Sequence, residues 1–139
     1  MSPLLMHASC VAVGERGVLI MGAAGTGKSA LALQLIAYGA DLIADDQTQI
    51  THQDQQLIAT CPPLLSGMIE ARGLGLLHAP PRARAPITLV VDLDLTEPDR
   101  LPPLRTISLL GITLPLVLGA QSNHFAASVL CYLKGTRLA

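Results

Sequence analysis

The sequence predicts an α/β fold: a P-loop-containing domain with a mixed, partly antiparallel sheet and few helices. Three observations predict it. The run Gly22-Ala23-Ala24-Gly25-Thr26-Gly27-Lys28-Ser29 has the pattern G-x-x-x-x-G-K-[ST], and it stands between an apolar run and a helix-forming run, the context in which that pattern cradles phosphate. Short apolar runs divided by turn residues recur along the chain, as strands of a sheet do. Only two stretches, near 29–38 and 122–134, combine helix-forming composition with start or stop signals.

Taken in order, Ser9 to Val13 and Val18 to Met21 read as strands joined across Gly14-Glu15-Arg16-Gly17, and the second feeds the P-loop. Ser29 to Tyr38 places Leu31, Leu33, Leu35 and Ile36 among good helix formers, with Gly39 following where a helix end needs a left-handed residue. Leu42 to Ala44 is a short strand ending in Asp45-Asp46. Thr48 to Thr51 and Gln56 to Thr60 form a hairpin about His52-Gln53-Asp54-Gln55. Cys61-Pro62-Pro63 breaks the chain, Leu64 to Ile69 is expected as a short helical turn, and Glu70 to Gly75 as a loop because of its glycines. Pro80 to Pro86 reads as a surface connection before the apolar strand Ile87 to Leu93, and Glu97 to Pro103 as an irregular Pro-rich segment. Strands at Thr106 to Leu110 and Leu114 to Leu118 precede a helix capped by Ser122 or Asn123 and running to about Lys134. The 139 residues fit one domain with no shift of composition and no repeat.

Half of the residues are apolar and 14% are charged, so part of the surface is expected to be covered in a homo-oligomer. The formal charge of −1, with dispersed Lys and Arg, offers no basic stripe for nucleic acid. Cys10, Cys61 and Cys131 make no CxxC pair, which argues against a disulfide framework or a zinc site and suits a reducing cytosol. Met1 to Val13 lacks a basic leading segment and is interrupted by His7, unlike a secretory signal. The longest apolar stretch, Leu109 to Ala120, contains Thr113 and Pro115 and falls short of the ~20 residues a membrane helix needs. A soluble, cytoplasmic protein with no membrane partner is expected.

The P-loop carries the chemistry. Its glycines let successive N–H groups and the helix N-terminus face phosphate oxygens, Lys28 reaches the outer phosphates, and the Ser29 hydroxyl suits Mg. Asp45 and Asp46 end a strand, where alternation turns only one of them toward the nucleotide. Such an acid accepts a proton or binds Mg through water, yet paired aspartates at a strand end are also common solvated turn formers. Glu70 and Arg72 suit a Mg ligand and an anion contact, or equally a surface ion pair. Asp92, closing the apolar Ile87-Thr88-Leu89-Val90-Val91, has the form of a Walker B acid and rivals Asp45 and Asp46 as the Mg residue. His7, taken alone, is more simply structural or solvated.

In order, His7, the loop from Gly22 to Ser29, Leu42-Ile43-Ala44-Asp45-Asp46 and Ile69-Glu70-Ala71-Arg72-Gly73-Leu74-Gly75 resemble the catalytic domain of HPr kinase/phosphorylase over residues 5–80 or so. The resemblance implies an ATP- and Mg-dependent protein-serine kinase acting on HPr or an HPr-like phosphocarrier. It implies Asp46 as general base, His7 and Lys28 as active-site residues around the phosphates, and Ser29 and Glu70 as Mg ligands, with Asp45 beside them. The same aspartate would serve as acid in the reverse phosphorolysis, as microscopic reversibility requires. The chain departs from the full-length family in three ways. It lacks the N-terminal domain, a Pro-rich stretch replaces the segment bearing a further arginine, and Pro115-Leu116-Val117-Leu118-Gly119-Ala120 stands where a basic loop is expected. It resembles the short bacterial form, with rival readings as another P-loop small-molecule kinase or a non-catalytic ATP-sensing module.

Overall fold

A computed structural model describes residues 3–139. Its strands are β1 (Leu4–Met6), β2 (Ala8–Val13), β3 (Arg16–Met21), β4 (Asp41–Ala44), β5 (Thr48–Gln53), β6 (Gln56–Thr60), β7 (Met68–Ala71), β8 (Gly75–His78), β9 (Arg84–Thr96), β10 (Arg105–Leu109) and β11 (Ile112–Gly119). Two α-helices, α1 (Lys28–Ala37) and α2 (Phe125–Gly135), occur among the described residues. Nine strands join one sheet in the order β1-β5-β6-β9-β3-β2-β4, with β11 also on β9 and β10 on β11, while β7 and β8 pair separately. The predicted mixed α/β sheet is therefore present: β3 and β11 run parallel to β9, and the other strand-to-strand pairings among the described residues are antiparallel.

The 13-residue β9 organises this sheet. Its first residues, Arg84 to Pro86, pair with β6, its middle with β3, and its later residues with β11. The apolar run had suggested Ile87 to Leu93 alone. Its extension to Arg84 corrects the reading of 80–86 as a surface connection, because Ala85 and Pro86 are buried once β6 pairs with them.

Side chains alternating across the sheet build two cores, as strand geometry demands. On one face Val11, Val18, Ile20, Leu89 and Val91 meet Leu31 and Leu35 of α1 and Val129 and Leu133 of α2. On the other, Cys10, Leu19, Ile43, Val90 and Leu114 meet Ile50, Leu57 and Ala59 of the β5–β6 hairpin. Burial without a partner charge pushes the Cys10 thiol up to about 12, which keeps it neutral packing rather than a nucleophile.

α1 ends as expected: Gly39 has φ +110 and the Ala40 N–H returns to Leu35 O at 3.0 Å. α2 begins later than Ser122, whose hydroxyl instead accepts the His124 N–H at 3.2 Å in the turn before the helix. Two further expectations are corrected. The expected helical turn at Leu64 to Ile69 is confined to a 3-10 turn at Pro63–Leu65, because Met68 onward joins β7. Glu70 to Gly75 is a hairpin rather than a loop: Glu70 and Ala71 close β7 and Gly75 opens β8, with Gly73 at φ +88 in the turn. Strand β1 was not foreseen. Its three residues pair with β5, and no local pattern announces so distant a partner.

Candidate active site

Strand β3 ends at Met21, level with Asp92 of the parallel β9, which runs on to Thr96. Chain leaving such strand ends forms a crevice, the usual place for a ligand in an α/β sheet. The P-loop follows Met21. Gly25 and Gly27 take φ +86 and +101, left-handed values open to glycine that curl the backbone before α1. Gly22, at φ +151, has no space for a side chain: a Cβ there would stand 2.4 Å from Thr26 Oγ1. Ala23 O anchors the turn by accepting the Thr26 N–H at 3.2 Å and its hydroxyl at 2.8 Å.

Lys28 is buried, with 5% of its surface exposed, and its ammonium donates to Gly22 O at 2.8 Å and Ala23 O at 3.2 Å. The charge thus sits inside the curl of the loop with only carbonyl partners, and phosphate oxygens would be stronger acceptors for it. This position fits the nucleotide that the motif implies.

Asp45 is the centre of the polar cluster. Its Oδ1 accepts the Ser29 hydroxyl at 2.7 Å and the Ser9 hydroxyl at 2.9 Å, and its Oδ2 accepts the Glu70 N–H at 3.2 Å. Four elements therefore converge: β2 through Ser9, α1 through Ser29, the end of β4 through Asp45, and β7 through Glu70. The Ser29 hydroxyl and the Asp45 carboxylate in contact are oxygen donors of the kind Mg takes with phosphates and waters completing its octahedron, while Glu70 is tied to them through its backbone N–H. The residues present fit that ion.

Asp46 belongs to the same cluster by a different route. Its N–H donates to Ser9 Oγ at 3.1 Å, and its Oδ1 lies 2.6 Å from His7 Nε2, both side chains being about half exposed. Strand alternation would have turned one acid away, but β4 stops at Ala44 and Asp46 adopts φ +66, a left-handed turn that breaks the alternation. Both acids accordingly reach the site. Asp45 faces inward to Ser29, and Asp46 stands outward with His7, about half exposed to solvent. His7 is thus no isolated histidine.

The structure puts His7, Gly22 to Ser29, Asp45, Asp46 and Glu70 in one region. Arg72 opens the exposed β7–β8 turn two residues from Glu70, and the described ion pairs do not include Glu70 with Arg72. Asp92 lies at the start of the P-loop rather than at Ser29: its Oδ1 accepts the Asp94 N–H at 2.9 Å, and Asp94 Oδ1 in turn accepts the Ala23 N–H at 2.8 Å. These two acids brace the loop. Ser9 and Asp94 were the residues missed, since a serine inside an apolar strand and an acid in a strand-end series carry no signal until the β2–β4 and β3–β9 pairings are known.

Residues 2–100 match the model of the HPr Serine kinase C-terminal domain. Over 103 residues the chain is 39% identical to the HPr kinase/phosphorylase of Lacticaseibacillus casei strain BL23, covering 68% of this chain and 32% of that protein. It is 38% identical over the same length to the HPr kinase/phosphorylase of Geobacillus kaustophilus, covering 68% and 33%. The chain thus spans about a third of the length of these relatives. A solved structure of the Hpr(Ser) kinase/phosphatase from Coxiella burnetii superposes with a TM-score of 0.78 at 27% identity, over 94% of each chain. That likeness extends past residue 100 into the β10–β11 hairpin and α2, and the family match carries the P-loop, the acid pair and the Glu70 hairpin together. The chain belongs to the HPr serine kinase C-terminal domain family.

Proposed function

We propose that this chain is an ATP- and Mg-dependent protein-serine kinase whose acceptor is HPr or an HPr-like phosphocarrier. The observation that carries the reading is the division of labour between adjacent acids: Asp45 bonded to Ser29 of the P-loop, and Asp46 displayed beside His7. One carboxylate serves the metal side of a phosphoryl transfer and the other is left for the attacking hydroxyl.

In this reading the loop amides from Gly22 to Ser29 and the Lys28 ammonium hold the phosphates. Ser29, Asp45 and Glu70 would hold Mg, which supplies neutralisation of phosphate charge when bound. Asp46 accepts the proton of the serine hydroxyl, and His7 fixes the Asp46 carboxylate by its 2.6 Å contact. Arg72, on the exposed hairpin turn, would meet an anionic group of nucleotide or acceptor. Catalysis is then mainly positioning and charge neutralisation. In the reverse reaction inorganic phosphate would attack the phosphoserine phosphorus to form pyrophosphate, and protonated Asp46 would return its proton to the departing serine oxygen. The P-loop brace made by Asp92 and Asp94 argues against Asp92 as the principal Mg residue. We further propose that these residues form one domain, of a cytosolic protein acting as a homo-oligomer, a reading supported by the apolar composition.

Incubation with γ-labelled ATP, Mg and purified phosphocarrier tests the reading. Label on a carrier serine is expected. Label on a small molecule alone, or nucleotide binding with no transfer, would replace it with a small-molecule kinase or an ATP-sensing module.

A further inference from the structure

The sheet has a second concave end, away from the P-loop. A cleft of about 670 Å³ opens between the β2–β3 turn, β9, β11 and the last turn of α2. Strand β3 begins at Arg16 in its wall and ends at Met21 beside the P-loop, and five steps of roughly 3.3 Å separate the two places by about 17 Å.

Most of the cleft is apolar. Val13, Leu89, Pro115 and Tyr132 line it, together with Leu104, which is 78% exposed. Three of the chain's nine Lys and Arg residues, Arg16, Lys134 and Arg137, also line it. The acid among its lining residues, Glu15, is already held by Arg82 at 2.7 Å.

The charges do not cancel within the cleft. Arg16 donates to Leu133 O at 3.1 Å and Lys134 O at 3.3 Å, so its charge answers the negative end of α2. Arg137 donates to Pro102 O and Ala139 O, contacts that fix the guanidinium, and outside the cleft its charge also acts on Glu97. Neither Lys134 nor Arg137 takes part in an ion pair among the described residues. Positive side chains therefore border a largely apolar, concave surface whose volume lies in the range of small-molecule sites.

We propose that this cleft is a second binding site, for an amphipathic organic anion. An apolar or aromatic body lies against Leu104, Pro115 and Tyr132, and one acidic group, carboxylate, sulfonate or phosphate, meets Lys134 and Arg137. The site is independent of the kinase reading, since it shares no residue with the P-loop cluster.

The probe is 8-anilinonaphthalene-1-sulfonate, an aromatic body with one fixed negative charge, titrated by fluorescence into the full chain. One saturable site is expected, unchanged by saturating ATP with Mg. Its Kd should rise roughly fivefold or more in Lys134→Glu and in Arg137→Glu, since each reverses an attraction at a solvent-accessible edge. Leu104→Asp should weaken it similarly. Leu64→Asp, at a 91% exposed leucine outside the cleft, should bind as the parent does. Displacement by ATP, an equal loss in Leu64→Asp, or parental binding by both charge-reversal variants would overturn the proposal. Melting curves identify any variant that has lost its fold, and the three cleft substitutions fall on two segments, the end of α2 and the lead into β10.

Discussion

Asp45 and Asp46 are neighbours in sequence, yet the structure gives them different contacts, and the separate roles proposed for them can be tested by substitution. Asp46→Asn keeps the size of the side chain and an oxygen for His7 but removes the proton acceptor. Transfer to the carrier should fall roughly 10²-fold or more, while ATP affinity, measured by titration, stays near the parent value. Asp45→Asn should act differently. It weakens the acceptor shared by Ser29 and Ser9, so the Mg concentration for half-maximal activity should rise. Equal effects of both substitutions on Mg dependence would remove the division of labour. Asp94 supplies a third test, because its contact with the Ala23 N–H needs an oxygen but no charge. Asp94→Ala should raise the ATP Kd by several-fold, as expected for losing a hydrogen bond worth about 1 kcal/mol, and Asp94→Asn should restore much of the affinity. An Asn variant as weak as the Ala variant would show that the charge, not the brace, matters.

Elements explain which of these roles could be read beforehand. The P-loop and α1 were legible because their code is local: glycines for left-handed turns, Lys28 and Ser29 at fixed offsets, and Gly39 for the stop. The β7–β8 hairpin was not, because Gly73 and Gly75 serve a turn there while also having the look of an irregular loop. Likewise the proline-rich lead into β9 concealed a strand that is defined by its distant partner β6. Position Gly17 shows how tightly such partners meet: a Cβ would stand 2.7 Å from Pro86 O on the adjacent strand. Gly17→Ala must therefore separate β3 from β9 at the end remote from the P-loop. The expected cost is about 1–3 kcal/mol, as for other overpacking changes, read as a lower midpoint in urea with little change in slope. A parental midpoint would show that the strands slide apart freely.

For the whole molecule, the family resemblance was carried by residues that the fold then collected from four elements, whereas the C-terminal part, where the motif likeness faded, was legible only as strands and a helix. Its role is partly structural: β11 completes β9, and α2 closes the apolar face shared with α1. The Arg105 guanidinium holds Glu97 below the usual carboxylate range through two contacts of 2.9 Å, tying the end of β9 to β10. Because β3 and α1 flank the P-loop and belong to the same core as β9 and α2, a ligand at the loop should stabilise the cooperative unit. Binding to the folded state alone adds about 2.7 kcal/mol when ATP is present at a hundred times its Kd. With an unfolding entropy scaled to 139 residues, that corresponds to a rise in Tm of roughly 9 °C. Lys28→Ala should abolish most of this rise, since its ammonium is the positive group buried within the loop, while Asp92→Asn should retain more of it. If Lys28→Ala were stabilised by ATP and Mg as fully as the parent, nucleotide would have to be held elsewhere, and the P-loop would lose its place as the centre of the site.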